Sequence, residues 1–246
     1  GSDKTRGVWG GGNTNSPTID YITISSTGNA TSFGSLSQGR RGATACSSST
    51  RTLFAGGIAS PEPTAVNTID YITTQSTGNA VDFGDLTSTQ YNTGACASPT
   101  RGVFAGGGLL PSGTINVIQF VTISTLGNAT DFGDLIQTQS DGIGCSNAIR
   151  GLFGGGLTPT KVNTIQYVTI ATTGNAVKFG ELTRTMQHGN ATSSTTRGIW
   201  MGGASPSDNT IDYVTIMTQG NAVDFGDLTA ARWSGNGGCS NAHGGL

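Results

Sequence analysis

Charged residues, helix-forming residues and long apolar runs are scarce in this sequence. Only 11% of its 246 residues are charged, the formal net charge is −2, and Lys, Glu and Leu are few. Proteins that bind nucleic acids or anionic membranes carry clusters of Lys and Arg, and no such cluster is present. No apolar run reaches the roughly 18 residues of a transmembrane helix. We therefore expect neither a nucleic-acid partner nor insertion into a membrane.

Patterns typical of catalysis are also missing. The two histidines, His188 and His243, have no nucleophile or metal ligand at a useful spacing. Asp-Phe-Gly-Asp occurs at 82–85, 131–134 and 224–227, and we interpret this recurrent element as turn capping, because a catalytic carboxylate pair would not be copied in this way. Glycine triplets follow aromatic strands and precede no helix, which favours close strand packing over phosphate binding. The sequence predicts a protein that is not an enzyme and has no cofactor.

A repeat of roughly 48 residues runs through the sequence, and such a period is typical of solenoids and propellers. Its clearest element is Thr-Gly-Asn-Ala or a close variant, followed by Phe-Gly and Leu. The five copies of this element end at Ala30, Ala80, Ala129, Ala176 and Ala222. Five copies predict five equivalent structural units.

Each copy contains four segments of strand length. In the second copy these are 43–47, 52–57, 68–74 and 80–86. We expect the Gly-Asn pair between the last two segments to supply both positive-φ positions of a tight hairpin. The third segment is apolar on both faces except at Asp70, which suits a sheet packed between two others.

These features predict an all-β fold, a five-bladed β-propeller with four antiparallel strands per blade in a single domain, 1–246. The blades are expected at 5–36 plus 237–242, 42–86, 92–135, 142–182 and 189–228. Residues 237–242 match the first strand of the other copies, whereas the N-terminal copy opens at its second strand. We therefore expect the C-terminal strand to pair with the N-terminal blade and to close the ring, which removes two free strand edges.

Four cysteines occupy one equivalent position of the repeat, and Thr192 stands there in the remaining copy. They are Cys46, Cys96, Cys145 and Cys239. Equivalent positions on neighbouring blades lie too far apart for a disulfide, which needs Cα atoms within about 7 Å. We expect free, buried thiols that serve packing, and no metal site.

The two ends of such a ring differ in how much the copies vary. Eight residues separate Cys46 from Phe54, and the equivalent spacing is the same in the other copies that can be compared. At the opposite end, the spacing between the aromatic residues that flank the second turn varies from 12 to 17 residues, and the connections between blades are equally diverse. A rigid scaffold with one diversified face is typical of binding proteins.

The connections supply the candidate ligand-binding residues. These are Arg40, Arg41, Tyr91, Asn92, Asp141, Gln187, His188 and Trp233. Tyr91 and Trp233 occupy the same place in their copies and would offer a flat apolar surface to a sugar ring or another aromatic group, with the polar residues donating or accepting hydrogen bonds. The alternative is that these surface turns have drifted without selection for a ligand.

Two resemblances to known families are visible. The Arg-Gly and small-residue strand, the aromatic residue with a glycine doublet (53–57), the Tyr strand and the final aromatic-x-x-Leu resemble kelch repeats over nearly the whole chain, although kelch blades usually end in Trp where Phe stands here. The wording Ile-Asp-Tyr-Ile-Thr-Ile (19–24), Ser-Thr-Gly-Asn-Ala-Thr (26–31) and Asp-Phe-Gly-Asp-Leu (82–86) is similar to repeats in virion structural and tail proteins of marine bacteriophages.

The second resemblance implies a virion-surface or extracellular protein. We expect a non-catalytic adhesion module that recognises a host-surface glycan or another virion protein through several weak contacts on a stiff ring. The alternative function is a purely structural spacer ring with no ligand.

Overall fold

The computed structural model describes residues 1–61, 63–203 and 206–233. This part of the chain is all-β, with antiparallel strands in six sheets and no α-helix. Among the same residues, no helix meets the length and hydropathy needed to cross a bilayer. The all-β prediction is therefore confirmed, and the closed ring remains a prediction.

Five sheets follow the repeat, and within each the strands pair in chain order. The first sheet contains β1 (Arg6–Gly10), β2 (Thr18–Thr23) and β3 (Thr31–Ser35). A small sheet contains β4 (Arg40–Arg41), β7 (Ile58–Ala59) and β8 (Thr64–Ala65). The second sheet contains β5 (Thr44–Ser47), β6 (Arg51–Ala55), β9 (Thr68–Thr73) and β10 (Val81–Asp85).

The remaining three sheets repeat the pattern of the second. The third sheet contains β11 (Gly94–Ala97), β12 (Arg101–Gly108), β13 (Thr114–Thr122) and β14 (Thr130–Asp134). The fourth contains β15 (Ile143–Ser146), β16 (Arg150–Gly154), β18 (Thr160–Thr169) and β19 (Val177–Met186), and β17 (Leu157–Thr158) pairs with β18. The fifth contains β20 (Asn190–Ser193), β21 (Arg197–Met201), β22 (Asp208–Thr215) and β23 (Val223–Arg232). The strand boundaries expected for the second copy are confirmed within two residues.

The first sheet uses the start of the chain as its first strand. Ser2 forms an antiparallel bridge with Gly7, and the amide of Val8 donates to the carbonyl of Gly1 at 2.8 Å. Pairing across so short a turn loses less chain entropy than closure over the whole polypeptide. This position was expected to hold residues 237–242, which lie outside the described residues.

Consecutive sheets pack face to face, and we call each such contact a junction. At the first junction, Phe33 of β3 lies in one buried cluster with Phe54 and Ile72 of the second sheet. The equivalent phenylalanines Phe83, Phe132 and Phe179 are also buried, with 2–4% of their surface exposed. Stacking thus covers both faces of the second, third and fourth sheets, as the apolar pattern of the third segment predicts.

The Gly-Asn-Ala segments dock onto the preceding sheet. The amides of Gly78 and Ala80 donate to the carbonyls of Phe33 and Ser35, each at 2.8 Å, and the amide of Ser35 donates to Oδ1 of Asn79 at 3.1 Å. The same three bonds recur at the other three junctions. The prediction of a hairpin corner with two positive-φ residues was wrong, because the asparagines do not have positive φ and seven residues link β9 to β10.

Candidate functional site

The second turns and the connections between sheets lie at the same end of the molecule, as the sequence predicts. Strand β4, in the first connection, pairs with β7, in the second turn of the second sheet. Isolated bridges join the next two connections to second turns in the same way, Tyr91 to Gly108 and Ser140 to Leu157. We call this end the variable end.

Arg40 was expected to bind a ligand, and the structure corrects this. Its side chain is fully buried, with Nη2 at 3.0 Å from Oδ2 of Asp70 and at 3.1 Å from the carbonyl oxygen of Phe54. Burial lowers the pKa of the Arg40 guanidinium, and the Asp70 carboxylate opposes this effect. A cation enclosed in this way joins two sheets and does not face a ligand.

Gln90 and Gln139 occupy the Arg40 position in the second and third copies and have the same role. Gln90 Nε2 donates to Thr93 and to the carbonyl of Gly106, while Gln119 Nε2 donates to Gln90 Oε1 at 3.0 Å. Gln166 Nε2 donates to Gln139 Oε1 at 3.1 Å. The sequence contained the signal for these pairs, because Arg40 accompanies an Asp on the next third strand, whereas each Gln accompanies a Gln.

The fourth copy departs from this pairing. Met186 stands at the Arg40 position and cannot form an ion pair with Asp212. The buried Asp212 instead accepts hydrogen bonds from Thr183, from Oγ1 at 2.6 Å and from the amide at 3.2 Å. A hydroxyl therefore satisfies the carboxylate where the connection supplies an apolar side chain.

At three further candidate positions, the backbone conformation restricts which residue types can occur. Asn92, Asp141 and His188 have φ of 51°, 58° and 54°, and Gly42 at the equivalent position has φ of 64°. Asn, Asp and His are the side chains that most readily adopt this left-handed conformation. The diversity at this position, which suggested ligand selection, therefore reflects a conformational requirement as well.

The left-handed turns lie next to one another. The amide of Asn92 donates to the carbonyl of Gly42, and the amide of Asp141 donates to the carbonyl of Asn92, both at 2.9 Å. Each turn directly precedes the first strand of its sheet, so the hydrogen bonds link successive connections at the variable end.

The structure brings three candidates together at this end, and we call them the Trp233 cluster. His188 Nδ1 lies 3.1 Å from Asp141 Oδ1, and Ser140 Oγ donates to Asp141 Oδ2 at 2.8 Å. The Asp141 side chain is 5% exposed and that of His188 is 30% exposed. The imidazole and the Trp233 indole have centroids 6.0 Å apart and planes tilted by 55°, and Trp233 is 57% exposed. The cluster thus places an exposed aromatic ring beside a polar pair.

The other candidates are less accessible. Tyr91 is half-buried against Gly108, where a β-carbon would lie 2.6 Å from the Tyr91 Cζ atom. Arg41 is half-buried in β4, opposite Ile58. Gln187 is also half-buried, and its Oε1 has no hydrogen-bond partner among the described residues. Tyr91 therefore serves packing more than it offers a platform equivalent to Trp233.

The three described cysteines and the glycine doublets have the packing roles predicted for them. Cys46, Cys96 and Cys145 are free and buried, and burial raises the pKa of the Cys46 thiol to about 12. Cys239 lies outside the described residues. No cluster of potential metal ligands occurs in the part of the chain that the structure describes. The second glycine of each doublet donates its amide to a connection carbonyl, as Gly57 does to Gln90 at 2.8 Å, so this amide is used within the fold.

Comparisons with known proteins add no family assignment. The chain matches no protein-family model, and no curated protein is significantly similar to it. The resemblances to kelch and to marine-phage repeats therefore rest on the residues quoted above.

Proposed function

We propose that this chain is a non-catalytic binding module of a phage virion or tail, in which five sheets form the blades of a closed ring and the variable end binds a host-surface glycan. Its resemblance to virion repeats supports the location. The junctions, repeated four times with the same contacts, support the ring.

The Trp233 cluster is the observation that carries the ligand class. An indole that is 57% exposed offers an apolar face to the C–H groups of a pyranose. His188 and the buried Asp141 lie beside it and can orient a hydroxyl group. A protein partner on the virion would use the same surface, but one exposed ring beside a small polar set suits a sugar better than a large apolar interface.

A second candidate is a spacer ring with no ligand. It is favoured by the structural roles of Arg40, Tyr91, Asn92 and Asp141, whose side chains or backbone conformations stabilise the connections. Residues selected for these roles need no ligand to explain them.

A glycan array of host-surface polysaccharides, followed by titration of each bound sugar, tests the proposal. We expect Trp233→Ala and His188→Ala to weaken binding at least about tenfold. Ile149→Ala is the matched control, because Ile149 is an exposed apolar residue on the first turn of its sheet, at the opposite end. No bound glycan, or equal binding by the wild type and Trp233→Ala, would contradict the proposal and favour the spacer.

A further inference from the structure

The first and fifth sheets each expose a face that is covered at every junction. Phe225 is 52% exposed, whereas its four equivalents are at most 4% exposed. On the first sheet, Ile24 is 45% exposed, while the equivalent Ile123, Ile170 and Ile216 are at most 2% exposed. The exposed face of the fifth sheet thus corresponds to the face that each earlier sheet packs against the next sheet. The exposed face of the first sheet corresponds to the face that each later sheet packs against the preceding sheet.

The glycine that follows Phe225 also lies on a face that no other sheet covers among the described residues. At the four junctions this glycine lies against the Gly-Asn segment of the next sheet, so that a β-carbon at Gly133 would collide with the carbonyl of Gly174. Gly226 is the equivalent residue of the fifth sheet and has φ of 137°, but a β-carbon there would meet no atom within 4 Å.

The charges of the two faces are complementary. Arg40 pairs with Asp70, and the two Gln positions pair with Gln. Asp212, which corresponds to Met186, is satisfied by Thr183, so Arg232 and Asp20 are the members of the two equivalent sets that remain to be assigned. Within 1–61, 63–203 and 206–233, neither Arg232 nor Asp20 forms an ion pair. Arg232 and Asp20 carry the same charges as Arg40 and Asp70, which pair at the first junction.

The arginine at the start of the second strand of each sheet identifies another contact that the fifth sheet lacks among the described residues. Each guanidinium stacks on an aromatic ring of its own sheet, with 4.4–4.8 Å from Cζ to the ring centroid. Four of them also donate to a carbonyl of the next sheet, as Arg101 does to Ile170 at 2.9 Å. Among the described residues, Arg197 has no such carbonyl, and the equivalent acceptor would be that of Ile24.

We propose that the exposed face of the fifth sheet binds the exposed face of the first sheet of the same chain, forming a fifth junction. This inference rests on the ring of the proposed function and names the residues that close it. Arg232 pairs with Asp20, Arg197 donates to the carbonyl of Ile24, and the Gly28 segment docks on the backbone at Phe225 and Gly226. Partners in one chain meet at a high effective concentration, which favours this closure over association with a second copy.

The pocket on the first sheet belongs to the same surface. It is lined by Tyr21, Ile22, Thr23 and residues of the turn that contains Gly28 and Asn29. At the four junctions the equivalent turn receives the fourth strand of the preceding sheet. The concavity is therefore the unfilled half of a junction.

A double-mutant cycle on Asp20 and Arg232 tests the inference, with the free energy of unfolding as the readout. We expect Asp20→Arg and Arg232→Asp each to raise the unfolding equilibrium constant about tenfold or more, and the double variant to reverse most of this change. Both side chains are at least partly exposed, so the single variants are expected to fold. The exposed Lys178–Glu181 pair, reversed in the same way, is the control and should show little coupling.

Light scattering of the same proteins identifies the source of the partner. Coupling in a monomer supports closure within the chain. Coupling in a dimer or larger assembly overturns it, since a second copy would then occupy the faces, and absence of coupling overturns the junction itself. The cycle uses no ligand, so its failure is distinguishable from a failure of glycan binding.

Discussion

The sulfur of Cys46 lies against the backbone of Gly102 on the next sheet, so that a β-carbon at Gly102 would be 2.8 Å from it. A β-carbon at Gly198 would lie at the same distance, 2.8 Å, from the sulfur of Cys145, and Cys96 faces Gly151. The relationship is reversed between the first two sheets, where Gly1 faces Thr52. Each of these contacts therefore combines one glycine with one larger residue.

We expect Gly102→Ala to lower the free energy of unfolding by about 1–3 kcal/mol, because the added methyl overpacks the contact with Cys46. Cys46→Gly in the same chain should recover part of the loss, as the Gly1–Thr52 contact suggests. Urea unfolding of the variants measures both effects. Cys145→Gly combined with Gly102→Ala is the control, and additive effects are expected there because the two sites share no contact.

The buried thiols are expected to be inert in the folded protein. The thiolate is the nucleophile, and burial raises the pKa of Cys46 to about 12 and that of Cys96 well above its ordinary value. In a Cys239→Ser background, a chromogenic disulfide reagent at pH 8 should label no thiol rapidly until urea unfolds the chain. Rapid labelling of the native protein would show that the inner strands open far more often than the packing implies.

The Arg40–Asp70 pair can be replaced by the Gln–Gln pair that stands at the equivalent positions of two other copies. Arg40→Ala should destabilise the fold by about 3–5 kcal/mol, because it leaves a buried carboxylate without its partner. The double variant Arg40→Gln, Asp70→Gln should cost much less, since Gln90–Gln119 and Gln139–Gln166 fill the same position. Unfolding free energies compare the two. If the double variant is no more stable than Arg40→Ala, the equivalence of these pairs is wrong.

The Asp3 cap predicts an acid dependence of stability. Burial raises the pKa of Asp3, but hydrogen bonds from the amides of Thr5 and Arg6, both 2.7 Å, outweigh it, so the folded pKa is lowered. The cap therefore stabilises the fold fully above the pKa of the unfolded chain, near 4, and is lost as pH falls through the lowered folded value.

Asp3→Asn separates the charge from the cap, because Asn147 caps the equivalent turn of the fourth sheet through Oδ1. We expect Asp3→Ala to cost about 1 kcal/mol at pH 7. Asp3→Asn should cost less at pH 7 and lose less stability between pH 5 and 2.5 than the wild type. Identical acid profiles for Asp3→Asn and the wild type would contradict the assignment.

Local pattern was sufficient for much of the fold. Strand positions such as 68–74 follow from residue type and spacing, and the burial of Cys46 follows from the small-residue strand. The Gly-Asn segment was misread because a dipeptide that favours a tight turn also suits a docking segment. Only the neighbouring sheet distinguishes the two uses, as the hydrogen bond from Ser35 to Asn79 shows.

The candidate site was harder to predict for a related reason. Arg40 and Trp233 lie in equally diverse connections, and sequence diversity by itself does not tell a buried cation from an exposed indole. The distinction depends on what each connection packs against. Arg40 meets Asp70 of the following sheet, whereas no described residue covers most of Trp233.

The sequence by itself determined the period, the strand order, the fixed and variable ends and the burial of Cys46, Cys96 and Cys145, because each depends on residues that are close in the chain or copied at a fixed spacing. Tertiary structure alone decided that Gly1–Asp3 completes the first sheet, that Arg40 is enclosed and that Asp141, His188 and Trp233 meet. These outcomes depend on packing between sheets, and that packing is determined by contacts among side chains that are distant in the sequence.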